Sequence, residues 1–510
     1  MSFKKSNLVY LVFLFLFFNG CDCNPKGFNL AIVMTWDVPA GQTYTFTDPT
    51  TGLTTVDFKA RVFFPSKDST GNEVTDGAHP LVIFGHGRYG PTAGSGFPDN
   101  YLHASYLLNQ LTSWGYICVT VNFDVIHSIT GISERGELFL KAIDFMMAEN
   151  GNAASKFFNK IDGSKIGLVG HSRGGGGATS AVNRNQAQGS PRNIKALATI
   201  SPTSFNTSPV SGNMPQLMLF GTWDGDLSDA QGYAMWDVAP RDKTKVYVEI
   251  YGANHFFFSD DLVYDNEIQG ILRENHQNMA KGFINAFFDQ YVRGNLRYSW
   301  PQYLTFDKKV DSIEYYVQYM DDTVLSIDDG GPGGTAATNT LGGVNTPTSL
   351  TLFDDSDLGT GTGQFGNTIG LRTSWDNAAD KIEFNFPATD ASAFSYITFR
   401  ASQRHGVTGN TVNTFKNIKV QLTDNAANSF SLPVSNTIYK GLQYPDLEEY
   451  PYGPGSYKNI PSTFRLKLSG FTGVNLSQLV KVTILFDAPN AAGFVNNTGA
   501  ITFDDLEITK

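Results

Sequence analysis

Lys165-Ile166-Gly167-Leu168-Val169-Gly170-His171-Ser172-Arg173-Gly174-Gly175-Gly176-Gly177 is the stretch whose reading decides the fold. A short apolar run ends in Gly-x-Ser-x-Gly, and residues 178–182 continue as the first turns of a helix. A serine in a sharp strand-to-helix turn stands clear of its neighbours. Flanking Gly170 and Gly174 remove the side chains that would collide where the backbone doubles back. Backbone N–H groups at the start of such a helix favour negative charge near the serine oxygen. Glycine makes up 51 of the 510 residues, so the pattern needs partners elsewhere: a base, an orienting acid and donors for a developing oxyanion.

Outward from that turn, continuous apolar runs alternate with helical patterns. Upstream come a strand at 81–84, a helix at 101–114, a strand at 116–122 and a helix at 134–149; downstream come strands at 194–200, 216–220 and 246–251. A helix follows at 275–293, where Met279, Phe283 and Phe287 repeat at four-residue spacing and predict packing on a sheet. Runs of this kind imply the α/β class, a mostly parallel sheet with helices on both faces. Residues 28–65, with β-branched and aromatic runs broken by Asp-Pro and Thr-Gly, predict an antiparallel opening to that sheet.

Serine needs a base, and the base needs a carboxylate to hold one tautomer. In a sheet of this class the acid and then the histidine follow the serine, at the C-terminal ends of later strands. After the strand at 216–220 comes Gly221-Thr222-Trp223-Asp224-Gly225-Asp226, and after 246–251 comes Gly252-Ala253-Asn254-His255-Phe256. Of eight histidines, His255 alone is both downstream of Ser172 and at a strand end of this unit; His276 falls in the helical pattern and His405 further on. Asp224 is favoured over Asp226 because Leu227 can then return to the core, leaving Asp226 as a turn residue. The oxyanion donors are expected to be the backbone N–H groups of Arg173 and of Arg88, in the loop Gly85-His86-Gly87-Arg88-Tyr89-Gly90. His86 buttresses that loop. Tyr89, Trp223 and Phe256 either line an aromatic substrate pocket or cap the core beneath the loops.

With these residues in place, residues of about 55 to 295 resemble the α/β-hydrolase superfamily. Gly-His-Ser-Arg-Gly-Gly, the His-Gly-x loop and Gly-Ala-Asn-His-Phe resemble the branch that holds platelet-activating-factor acetylhydrolases, chlorophyllases, dienelactone hydrolase-like esterases and cutinase-like polyester hydrolases. The resemblance implies Ser172 as nucleophile, Asp224 as orienter, His255 as base, and Arg88 with Arg173 as oxyanion donors. It also implies hydrolysis of carboxylic esters through an acyl-enzyme and without a cofactor. No long insertion that could form a lid follows the strand at 194–200, which predicts an open site suited to bulky or polymeric esters.

Composition shifts near residue 328. Residues 328–348 are Gly/Thr/Asn-rich and read as a flexible linker. Short alternating runs beyond it predict a β-sandwich over 349–510. Leu371-Arg372-Thr373-Ser374-Trp375, Ile397-Thr398-Phe399-Arg400 and the terminal Phe503-Asp504-Asp505-Leu506 resemble the jelly-roll carbohydrate-binding modules. That resemblance implies a glycan partner. Asp354, Asp355, Asp504 and Asp505 are then either ligands of a structural calcium or solvated turn carboxylates. Trp375 stacks on a sugar or sits in the core, and its place in an alternating strand favours the core.

A formal charge of −11 without any Lys/Arg run argues against nucleic acid as a partner. Lys4 and Lys5 precede an apolar run at 8–18 and then Asn19-Gly20-Cys21. Such a run is too short to span a bilayer and reads as an export signal over 1–21. Cys21 resembles the lipidated cysteine of bacterial lipoproteins, which would attach the protein to a membrane; simple secretion is the alternative. The hydrolase unit then occupies 22–327. Three readings of function stand: an exported serine esterase, a surface glycan-binding protein on a vestigial hydrolase scaffold, and a serine peptidase on the same fold.

Overall fold

The computed structural model describes residues 31–48, 52–87, 99–124, 126, 131–204, 208–227, 231–260, 270–295, 313–330, 335–357, 369–404, 406–411, 414–434, 442–443, 461–488 and 497–510. Its first unit contains, in chain order, β1 (Ile32–Asp37), β2 (Ala60–Ser66), β3 (His79–Gly85), α1 (Ser105–Ser113), β4 (Ile117–Val121), α2 (Ile132–Gly151), β5 (Ile161–His171), α3 (Arg173–Ala187), β6 (Ile194–Ile200), β7 (Gln216–Gly221), α4 (Gln231–Asp237), β8 (Lys245–Ile250), α5 (Arg273–Tyr291) and β9 (Tyr315–Met320). A hairpin, Thr43–Asp48 with Gly52–Asp57, stands between β1 and β2.

The nine strands form one sheet in the order β1-β2-β4-β3-β5-β6-β7-β8-β9. Strands β3 to β8 run parallel, and β1, β2 and β9 are joined antiparallel at the two edges. Alternate residues of the buried strands feed two cores. Val82, Phe84, Cys118 and Val169 face α1 and α5, where Met279, Phe283 and Phe287 are buried as their spacing predicts. Leu81, Ile83, Ile117 and Leu168 face α2 and α3. Burying both faces is what makes these strands read as continuous apolar runs rather than as alternations.

Helix α3 begins at Arg173 and runs straight through four glycines, earlier than the turns expected at 178–182. Glycine disfavours a helix by roughly 1 kcal/mol per residue relative to alanine, so packing must supply the reason. A Cβ on Gly174 would lie 2.1 Å from the Gly85 carbonyl oxygen, and one on Gly177 2.7 Å from Arg135 Cβ. The helix lies too close to β3 and α2 for any other residue.

The second unit is a pair of antiparallel sheets. One has the order Leu352–Asp357, Ile369–Trp375, Gly499–Thr509, Tyr396–Gln403, Ser462–Lys467; the other Val344–Thr348, Lys381–Thr389, Leu479–Leu485, Lys419–Asp424, Ser429–Pro433. Phe384 of one sheet stacks on Phe503 of the other at 5.8 Å, and Trp375 stacks on Phe486 at 4.2 Å. Trp375 is therefore core.

The expected linker is not one among its described residues. Val324–Asp328 pairs with the last strand, and Val344–Thr348 pairs with Lys381–Thr389 as a sheet edge. Most of that edge strand's side chains face solvent, so it leaves no apolar signal in the sequence. A buried polar knot, Asn345 on Asp328 and Asn339 on Asn345, takes the place of apolar packing. Strand β9 likewise has no counterpart among the strands that the sequence predicts. It is buried on both sides because the sandwich covers it, and Tyr319 N–H donates to Thr463 Oγ1 at 2.9 Å across the junction.

Arg400 anchors that junction. It is 4% exposed, donates to Gln318 Oε1 at 2.9 Å and Asp237 Oδ1 at 3.1 Å in the first unit, and pairs with Asp504 and Asp505 in its own. Arg241 of the first unit reaches Asp505 Oδ1 at 2.6 Å and also pairs with Glu507. Burial alone raises the Asp505 carboxyl, but the Arg400 and Arg241 charges outweigh it and hold it below its ordinary value. Asp504 and Asp505 are thus arginine partners at an interface, not calcium ligands. Asp354 is likewise held by Arg372, at 2.7 Å through two bonds. No group of three or more potential metal ligands occurs among the described residues.

Two outcomes follow from this packing. Arg400→Met strands buried carboxylates and is expected to lower stability by about 3–5 kcal/mol in urea titration. Gly174→Ala drives a methyl into the Gly85 carbonyl and is expected to cost about 3 kcal/mol, read from the same measurement.

Candidate active site

Ser172 sits between β5 and α3 with φ 55° and ψ −122°, a strained conformation for a non-glycine residue. Surrounding bonds fix it there. Its N–H donates to Ile200 O at 2.9 Å, and its carbonyl accepts from Gly175 at 2.9 Å and from Gly176 and Thr203 at 3.2 Å. A Cβ on Gly170 would fall 2.1 Å from Gly174 O. The two glycines flanking the serine are thus required by close approach, as the motif predicts.

Asp224 and His255 leave the ends of β7 and β8, as expected. The two loops are clasped by backbone: Trp223 N–H donates to Ala253 O at 2.9 Å, and a Cβ on Gly221 would meet that oxygen at 2.2 Å. This crossing brings Asp224 Oδ2 to 2.8 Å from His255 Nδ1, with both side chains essentially inaccessible to solvent. The other carboxyl oxygen accepts from Leu227 N at 2.7 Å and Asp226 N at 3.2 Å. Burial pushes the Asp224 carboxyl up, but His255 and the bonds from Leu227 outweigh it and hold it below its ordinary value. Leu227 returns to the core, as the choice of Asp224 required. A carboxylate so placed fixes the tautomer of the imidazole, leaving Nε2 to exchange a proton.

Three further histidines brace these loops. His86 Nε2 accepts from Phe123 N at 2.8 Å, so its Nδ1–H donates to Gly87 O, at 2.6 Å. His276 Nε2 accepts from Asn254 N at 2.8 Å, and its Nδ1–H donates to Leu272 O at 2.9 Å. His171 donates through Nε2 to the His255 carbonyl at 3.0 Å, its ring 4.8 Å from that of His255. Burial first of all lowers their pKa values, to about 4 for His86, about 3 for His171 and about 4 for His276, so all three work as neutral rings. His86 fulfils the buttressing expected of it. His171 and His276 carried no signal in the sequence beyond being histidines, one inside the elbow and one in a helical pattern.

Arg173 opens α3 directly after Ser172, where its backbone was expected. Arg88 and Tyr89 lie outside the described residues, as does Cys21. Phe256 is 7% exposed and meets the His255 ring edge-on at 5.0 Å. Phe257 and Phe258 pack on His276. Trp223 is half-buried over Gly270, where a Cβ would come within 2.9 Å of its ring. Asp226 is more than a turn residue. Its side chain is 53% exposed, and its Oδ2 lies 3.5 Å from His255 Nε2.

The neutral histidines set a pH dependence. Their folded pKa values lie below the ordinary value of about 6.5, so the unfolded chain binds more protons and stability falls as pH drops from about 6.5 toward about 4. Urea midpoints are expected to decline across that window, and to decline less steeply in His276→Gln.

Residues 94–308 match the family model described as PET hydrolase-like. The curated relatives include Cutinase est2 of Thermobifida alba, 25% identical over 170 residues that cover 33% of this chain and 53% of the relative. Cutinase 1 of Thermobifida cellulosilytica is 26% identical over 171 residues, 33% of this chain and 61% of the relative. A bis(hydroxyethyl) terephthalate hydrolase of Streptomyces coelicolor is 26% identical over 164 residues, 32% of this chain and 48% of the relative. The chain thus spans about half the length of the curated relatives it matches. Strand order and the serine turn give the first unit an α/β-hydrolase fold, and residues 94–308 of it are similar to PET hydrolase-like proteins and cutinases.

Proposed function

We propose that the chain is an exported serine hydrolase of carboxylic esters, with Ser172, His255 and Asp224 as its catalytic residues. The observation that carries this reading is the buried 2.8 Å bond from His255 Nδ1 to Asp224, on loops beside a serine held at φ 55°. Ser172 Oγ attacks the ester carbonyl while His255 Nε2 takes its proton. The imidazolium that forms is stabilised by Asp224 and then protonates the departing alkoxide. Water, deprotonated by the same Nε2, resolves the acyl-enzyme. The carbonyl oxygen, negative in each tetrahedral intermediate, would be stabilised by the backbone N–H of Arg173, with that of Arg88 as the second donor the resemblance implies. Each step is acid–base and acyl-transfer chemistry carried by these side chains.

The cutinase and bis(hydroxyethyl) terephthalate hydrolase relatives support polyesters and aromatic diesters as the substrate class. Export by the leader, cut before Cys21 where that cysteine is lipidated or followed by simple secretion, would carry the enzyme out of the cytoplasm. The antiparallel two-sheet unit is proposed as a jelly-roll that braces the hydrolase. Trp375 is 2% exposed and offers no face on which a sugar could stack.

Hydrolysis of 4-nitrophenyl butyrate is expected in the wild type. It should fall by about 10⁴–10⁶ in Ser172→Ala and by about 10⁴ in Asp224→Asn. Equal rates in wild type and Ser172→Ala would overturn the assignment, and cleavage of peptides but not esters would favour a peptidase.

A further inference from the structure

We propose that Asp226 sets the charge selectivity of this site, disfavouring esters that carry a carboxylate near the scissile bond and speeding release of the carboxylate product. The inference rests on the esterase reading above. Asp224 and Asp226 share one loop but differ in environment. Asp224 is sealed behind the imidazole, whereas the Asp226 side chain is 53% exposed and its Oδ2 stands 3.5 Å from Nε2, the nitrogen that faces the reaction.

The geometry bounds the distance to substrate. A leaving oxygen must come within about 3 Å of Nε2 to receive its proton, so the reacting centre lies within about 7 Å of the Asp226 carboxylate. At that range, and with the screening expected of a half-exposed group, one negative charge on the substrate changes its stability in the site by about fivefold. Charge also distinguishes the reactant from what it becomes. A neutral ester enters, and hydrolysis leaves an acid that is ionised at neutral pH. A fixed carboxylate beside Nε2 therefore opposes rebinding of the product without opposing the substrate. In an ester with two acyl bonds, it would equally disfavour the half-hydrolysed, anionic intermediate. The chain's overall charge of −11 adds a diffuse repulsion. Neutralising one side chain leaves that almost untouched, so a point variant isolates the local effect.

The test uses the full chain and two nearly isosteric probes, 4-nitrophenyl hexanoate and 4-nitrophenyl hydrogen adipate, which differ by a carboxylate in place of a methyl group. In Asp226→Asn the ratio of kcat/KM for the neutral over the anionic probe is expected to fall about fivefold, and the inhibition constant for hexanoate to fall by a similar factor. Asp226→Glu, which keeps the charge, should retain most of the wild-type ratio. A ratio that moves less than about twofold in Asp226→Asn would overturn the inference. Should that variant fail to fold, Asp226→Ser takes its place with the same expected fall and the same overturning result, and in the wild type indifference of the probe preference to salt between about 0.02 M and about 0.5 M also overturns the inference. Ser172→Ala run alongside separates the two claims. Turnover that survives there removes the esterase reading itself; turnover lost there with an unmoved ratio in Asp226→Asn removes only the role of Asp226.

Discussion

The whole site depends on one backbone crossing, where the end of β3, the end of β5 and the first turn of α3 approach closer than any side chain allows. Gly174 lies over the Gly85 carbonyl, and Gly170 over the Gly174 carbonyl. Because no Cβ intervenes, the chain reverses within one residue, and that residue, Ser172, is forced to positive φ. The same crossing sets the loop after β3 against the serine: a Cβ on Gly87 would lie 2.7 Å from Ser172 Cβ. Position of the serine, start of the helix and proximity of the His86 loop are therefore one geometric fact. Its cost is a helix opened by four consecutive glycines, a weak helical sequence stabilised by tertiary packing.

A second clasp does for Asp224 and His255 what this crossing does for Ser172. Gly221 admits the Ala253 carbonyl, and the loops after β7 and β8 are thereby locked in register. Around both clasps, buried neutral histidines act as shaped connectors with one donor and one acceptor each. His86 ties the β3 loop to Phe123, and His276 ties Asn254 to the start of α5. A neutral imidazole suits this work because it satisfies two backbone groups in a dry environment without bringing a charge. His255, the histidine paired with Asp224, is the one assigned to proton transfer.

Much of this was legible in the sequence, and the exceptions share a cause. Gly170, Ser172 and Gly174 announce their geometry locally, and Asp224 and His255 could be placed because both follow apolar runs that end in small residues. Burial on two faces made β3 to β8 readable. By contrast, Asp504 and Asp505 show only two carboxylates in the chain, while their partner Arg400 is 104 residues from Asp504 and Arg241 is 264 from Asp505. Nothing local distinguishes an arginine clamp from a calcium site. The supposed linker failed for a related reason: an edge strand with side chains in solvent is held by backbone pairing, which leaves no hydrophobic pattern. The approach of Asp226 to His255 Nε2 likewise arises from how two loops meet. Arg400 further makes the junction between the units a buried ionic one, so the sandwich is a fixed part of the molecule's framework rather than a module on a tether.

The central claim is that Ser172 is the nucleophile that this framework isolates. Reaction of the full chain with a fluorophosphonate, followed by peptide mass spectrometry, tests it most directly. The account predicts a single adduct on the peptide containing Ser172, formed at a strongly reduced rate in Asp224→Asn. An adduct on a different residue, or none at all from folded protein, would contradict it.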